Sequence, residues 1–192
     1  MPANLQQPAS LQQTLRAMAH NNAFANHRLL AACARLQPGE FAAPRSGFFP
    51  SICATLNHSH TVDLFYIDAI EGGTYGPAAW AVAIPHPALP DLAAAQKALD
   101  LRLITACGPA LDPDRIVQVH RTGSIQRDRC DRLLLHLFQH QIHHRGQAHA
   151  MLSGTSVAPP QLDEFFCEGE ADLRAADFAA LGWTETQVWG VG

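Results

Sequence analysis

Glycine and proline cut this chain at Pro38-Gly39, Gly72-Gly73, Gly108-Pro109 and Gly154. Proline removes a backbone donor and glycine readily leaves the helical conformation, so each of these sites stops a helix. Between the stops, apolar residues recur at helical spacing. The first predicted helix runs from about Ser10 to Leu36, with Leu11, Leu15, Met18, Asn22, Leu29 and Cys33 on one side and Asn26 at its edge. The second runs from about Ser46 to Ile70 and carries His58, Val62, Phe65 and Ala69 on one face, the third from about Asp91 to Cys107, the fourth from about Ile125 to Leu152. Residues 72–90, rich in Gly and Pro, read as a connection. The segment Ile116 to Ser124 alternates and holds β-branched residues, which predicts a short extended piece or hairpin. Past Gly154, Pro159-Pro160 opens an irregular tail with one short helix near Glu170 to Leu181. The expected fold is all-α: a four-helix bundle with a long connection between its second and third helices and a short hairpin before the fourth.

A chain of 192 residues with 47% hydrophobic content can bury one substantial core, so a single domain over residues 1–192 is expected, with its bundle core at about 10–154 and a tail at 155–192. Thirteen Lys plus Arg face 17 Asp plus Glu, and Lys97 is the only lysine. Without a basic stripe, no nucleic-acid partner is expected. MPANLQQPASLQQTL has no basic segment followed by an apolar run, and no window is apolar for the length of a membrane span. A cytoplasmic protein with no membrane partner is the expectation. Cys33, Cys53, Cys107, Cys130 and Cys167 form no CxxC pair and read as reduced, buried small hydrophobes.

The fourth helix carries HLFQHQIHHRGQAHAML. At about 100° per residue, His136, His140, His143 and His144 crowd one side together with Leu133, Leu137, Ala148 and Met151, while His149 lies round toward solvent or the rim. Imidazoles on an inward stripe need partners, because a buried unpaired polar group costs roughly 1–3 kcal/mol. Two readings follow: a row of hydrogen-bonded histidines, or a divalent metal held by a His pair at i, i+4. A third ligand would come from the buried stripe of a neighbouring helix, where His58 fits; His60 points about 200° away and is expected to be exposed. Spacing alone does not choose between the pairs His136/His140 and His140/His144.

TLNHSHTVD (Thr55 to Asp63) and FQHQIHHRGQAHAML (Phe138 to Leu152) resemble the two signature regions of the DinB/YfiT-like family of metal-dependent enzymes. NAFAN (Asn22 to Asn26) and SGFFPSI (Ser46 to Ile52) resemble two further family segments, so the likeness extends over nearly the whole chain. It departs at Phe24, where the family has tryptophan, at Gln139, where asparagine is common, and in the polar middle of HSHTVD. The resemblance implies the ligand set His58, His140 and His144. Asn22 and Asn26 are then candidates to hydrogen-bond a ligating imidazole, or equally plain inter-helix polar contacts, and Gln147, back on the histidine face, is a candidate to bond a ligand or substrate. Gly146 reads as a point of close helix approach or a bulge, and Arg145 as a surface or inter-helix ion-pair residue.

Three imidazoles leave an ion with an open position, the pattern of catalytic rather than structural zinc, and zinc, nickel, iron and manganese all suit imidazole. The resemblance further implies a thiol-dependent transferase that uses a low-molecular-weight thiol against a small-molecule electrophile. A metal-dependent hydrolase is the second enzymatic reading, and a non-catalytic metal-binding or stress-response protein with a bracing ion is the rival. Tyr66, His136 and His143 stand near enough for general-base work, with none singled out. Family likeness also implies a homodimer formed through exposed helix faces.

Overall fold

The computed structural model describes residues 10–189. Residues 1–9 and 190–192, which carry part of the leader and tail readings above, lie outside them. The chain is mostly helical with one small antiparallel two-stranded sheet. Among the described residues, no helix is long and apolar enough to cross a membrane.

Helix α1 (Leu11–Cys33) starts in a capping box: the Ser10 hydroxyl accepts from Gln13 N at 3.2 Å while the Gln13 side chain accepts from Ser10 N at 2.9 Å. Helix α2 (Ile52–Ile70) begins six residues later than Ser46, the expected start. Pro50 disfavours helical backbone at Phe49, and the Ser51 hydroxyl supplies the cap by accepting from Ala54 N at 3.1 Å. Gly72, at φ 87, turns the chain out of α2. A helical turn at Gly76–Trp80 precedes α3 (Leu89–Ala106), which opens with Pro90 in its first turn, where a missing N–H does no harm.

Strands β1 (Ile116–Arg121) and β2 (Ser124–Arg129) form a hairpin in which Ile116 pairs with Arg129 and Arg121 with Ser124. The hairpin corrects the start of the fourth helix. Residues 125–129, expected to be helical, are committed to strand pairing, so α4 spans Cys130–Leu152. Val117 and Val119 point into the core, whereas β2 is solvent-facing. After α4 come α5 (Ala171–Leu181) and a second tail helix the sequence reading lacks, α6 (Glu185–Trp189).

Both α1 and α2 pack against both α3 and α4. The interior is divided. One apolar cluster holds Leu15, Phe65, Leu103, Leu134 and Leu137, with the hairpin's Val117 and Val119. Another holds Leu29, Ile52, Leu56, Leu92, Ala148 and Leu152. Along the helices a set of buried polar residues lies between these clusters: Asn22 and Asn26, Ser59, His60, Thr61 and Asp63, Gln96 and Asp100, Gln141 and Arg145. A third cluster joins Phe24 of α1 to Phe165, Phe178 and Val188 of the tail.

Candidate metal centre

Helix α4 places His140 and His144 one turn apart, and α2, packed against it, brings in His58. Nε2 of His58 lies 3.2 Å from Nε2 of His140. The ring centroids are 4.6 Å apart for His58 and His144, 4.3 Å for His140 and His144, and 5.1 Å for His58 and His140. One ring nitrogen from each residue lies within 4.8 Å of the others, a grouping that could hold a metal ion.

The electrostatics favour the ligating form. Burial, reinforced by the neighbouring His144, pushes His58 down to about 4, and burial with the surrounding imidazoles pushes His140 down to about 3. Burial lowers His144 as well. All three rings are therefore neutral near pH 7, which metal binding requires. The tautomer of His144 is set from behind: its Nδ1 donates to the Gln147 carbonyl oxygen at 2.8 Å, and the Gln147 amide donates to Nε2 of His143 at 3.1 Å. That leaves the Nε2 lone pair of His144 facing the cluster. Nδ1 of His140 is buried without a protein partner.

Phe49, from the connection between α1 and α2, lies over the centre with its ring 4.5 Å from His58 and 5.6 Å from His144. On the other side His136 is exposed, 6.3 Å from His140 and 5.1 Å from the Tyr66 ring, and the Tyr66 hydroxyl accepts from Arg121 at 3.3 Å. His143 is exposed and touches the cluster only at its rim, 4.9 Å from His144.

Several expectations need correction. Of the two readings of Asn22 and Asn26, the hydrogen bonds fit the inter-helix one and not the imidazole partner: both donate to Asp100, at 3.1 and 2.9 Å, and both accept from Arg145. Arg145 is 4% exposed, so the surface half of its reading falls and the inter-helix half stands, with Asn22 and Asn26 as direct partners and Asp63 and Asp100 close by. His60, expected outside, is 5% exposed, donates to Gln96 at 3.2 Å and stacks edge-on against His86. Its helix is covered on nearly every side, by α3, α4 and the Gly76–Trp80 turn, so no free face was available to it. Gly146 makes no close approach, since a β-carbon there would meet nothing within 4 Å. Cys167, expected to be buried like the other four cysteines, is exposed, whereas His149 sits half-buried at the rim as expected and pairs with the Pro160 carbonyl at 2.9 Å.

Behind the histidines lies a polar hub that the sequence reading missed. Gln96 donates to Asp63 at 2.7 Å and to Asp100 at 3.1 Å, and Gln141 donates to Asp63 and to the Ser59 carbonyl. Burial, with Asp100 close by, raises Asp63 to about 8; burial raises Asp100 to about 6, offset by its amide donors and Arg145. Burial lowers Arg145 to about 10, still protonated at neutral pH. Asp63 thus keeps its proton near pH 7, and the charge of Asp100 is balanced by Arg145. The signal available in the sequence was polar pairs at i, i+4 on inward stripes: Asn22/Asn26, Gln96/Asp100 and Gln141/Arg145.

Fold and site together define a helical protein with a three-histidine group suited to a metal ion. The family model described as the DinB family matches residues 9–175, and the chain belongs to that family. No curated protein matches it.

Proposed function

We propose that this protein is a metal-dependent enzyme in which His58, His140 and His144 hold one divalent ion and leave part of its coordination sphere open. The observation that carries this reading is the convergence of three neutral imidazoles in a group that contains no cysteine or carboxylate. Three protein ligands with room for another is the catalytic arrangement, and zinc, nickel, iron and manganese are all compatible with it. The residues fit such an ion: like rings facing one another offer lone pairs that an outside Lewis acid satisfies. Bound there, the ion supplies Lewis acidity, lowering the pKa of a thiol or water or polarising a carbonyl.

The chain's own residues orient and shelter. Gln147 holds the His144 tautomer, and Phe49 keeps water from one side of the centre. The reaction proposed is S-transfer from a low-molecular-weight thiol to a small electrophile. The thiol sulfur bonds to the electrophilic carbon, the leaving group departs with the electron pair of the bond that breaks, and the thiol proton passes to solvent by way of exposed His136. In the same reading the chain works as one four-helix-bundle domain over residues 1–192, in the cytoplasm, as a homodimer.

Elemental analysis of untagged protein tests the centre. About one equivalent of metal in the parent, lost in both His58→Ala and His144→Ala, is expected for this ligand class; metal retained in both variants overturns the ligand set. Metal-loaded parent should then consume a low-molecular-weight thiol in the presence of an activated aryl halide, and His140→Ala should not. Metal-dependent cleavage of an aryl ester without thiol loss would make the hydrolase the better reading. The position of Phe49 across the centre favours one further reading, a bracing ion. That reading expects no turnover, and chelation costing about 4 kcal/mol where free metal had stood a thousandfold above its Kd.

A further inference from the structure

Beside the centre, a cleft of about 410 Å³ opens between residues 44–48 and the end of α4. That volume lies in the range of small-molecule sites. Gln147 and Met151 form one wall; Arg45, Ser46, Gly47 and Phe48 form the other. Gly47 permits the close approach of the two walls, because a β-carbon there would collide with Cε of Met151.

Arg45 is the only charged side chain among the lining residues. Its Nη1 donates to the Gly154 carbonyl at 2.9 Å and its Nη2 more weakly to the Glu40 carbonyl at 3.4 Å, while Nε is buried without a partner. Among the described residues no carboxylate pairs with it within 4.0 Å. The nearby Glu40 carboxylate is turned to Ser156, accepting from its N at 2.9 Å and its hydroxyl at 2.6 Å. A guanidinium anchored by carbonyls, whose neighbouring Glu40 carboxylate acts on it without a direct ion pair, keeps one hydrogen on each Nη to offer a planar anion.

The cleft adjoins the centre through two residues. Gln147 lines it and bonds His144, and Phe48, 83% exposed, adjoins the Phe49 that covers His58 and His144.

We propose that this cleft is the substrate subsite of the metal centre, that it takes a small organic molecule bearing a carboxylate, and that Arg45 pairs with that carboxylate while the apolar body lies against Phe48 and Met151. The proposal rests on the metal-enzyme reading for its catalytic meaning, not for the binding itself.

The test uses 4-phenylbutanoate and its uncharged analogue 4-phenylbutanamide as probes. Binding is measured by calorimetry to the full chain, with metal content read separately on every sample. The parent should bind the carboxylate at least about tenfold more tightly than the amide, the value of one charge-assisted pair. Arg45→Gln should lose that preference with its metal content unchanged, and Arg45→Lys should keep part of it. His58→Ala should retain the preference even if it loses metal. A preference kept in Arg45→Gln but lost in His58→Ala would assign the carboxylate to the histidine centre and overturn the proposal. Equal binding of the two probes by the parent, or no binding of either, would overturn it as well. A parent that proves metal-free yet shows the Arg45-dependent preference would sink the enzyme reading and leave the subsite standing.

Discussion

Two polar clusters share the same two helices and solve the problem of burial in opposite ways. His140 and His144 alternate in sequence with Gln141 and Arg145, so α4 presents imidazoles to one cluster and an amide and a guanidinium to the other. The hub mixes donors with acceptors, and Asp63, Gln96, Asp100, Asn22, Asn26, Gln141 and Arg145 satisfy one another across α1 to α4. The centre gathers one kind of group: His58 and His140 can share a single hydrogen bond between their Nε2 atoms at 3.2 Å, and Nδ1 of His140 is left without a protein partner. A closed set of unlike groups fastens a fold; a convergent set of like groups waits for something from outside.

Removing the cation from the closed cluster should do the most damage. Arg145→Met leaves the Asp100 carboxylate without its countercharge and should cost about 3–5 kcal/mol of unfolding free energy by denaturant titration. His140→Ala, compared in metal-free protein, should cost far less; equal losses would erase the distinction between the clusters. Gln147→Leu frees the His144 tautomer and should weaken metal affinity about 10- to 100-fold, read by competition with a chelator. Unchanged affinity would remove Gln147 from the centre.

The hub should also show itself as a pH slope. Asp63 is raised from 3.8 to about 8 by folding, so its contribution to stability is full below about pH 4 and is lost as pH climbs through about 8. In metal-free protein the stability of the parent should therefore decline over that window more steeply than that of Asp63→Asn; parallel curves would place the proton elsewhere. The smallest effect is a gain. Gly146→Ala should add up to about 1 kcal/mol and leave metal content unchanged, since the site is helical and a β-carbon has open space.

Helix ends were legible where the signal is local: Gly72 and Pro90 act through their own backbones wherever they stand. The starts of α2 and α4 were not, because Ser46 and Ser51 both offer a cap and because strand pairing with residues 116–121 claims Ser124–Arg129 from a distance. His58 could be placed on an inward stripe by periodicity. His60 and Arg145 could not, because a helical wheel assumes one buried face and α2 and α4 are each covered on several. The choice of His144 over His136 came from family likeness, not from spacing. Phe49 and Arg45 belong to an irregular connection, where no period announces which side chain turns inward.

The tail cluster has a practical consequence for anyone watching this protein by light. Two of its three tryptophans, Trp183 and Trp189, pack with the tail's Phe178 and Phe165, and Trp80 lies on Phe65. None stands in ring contact with His58, His140 or His144. Intrinsic fluorescence will therefore report the docking of the tail on α1 and the seating of the Gly76–Trp80 turn, and an event at the histidines can pass with the emission unchanged.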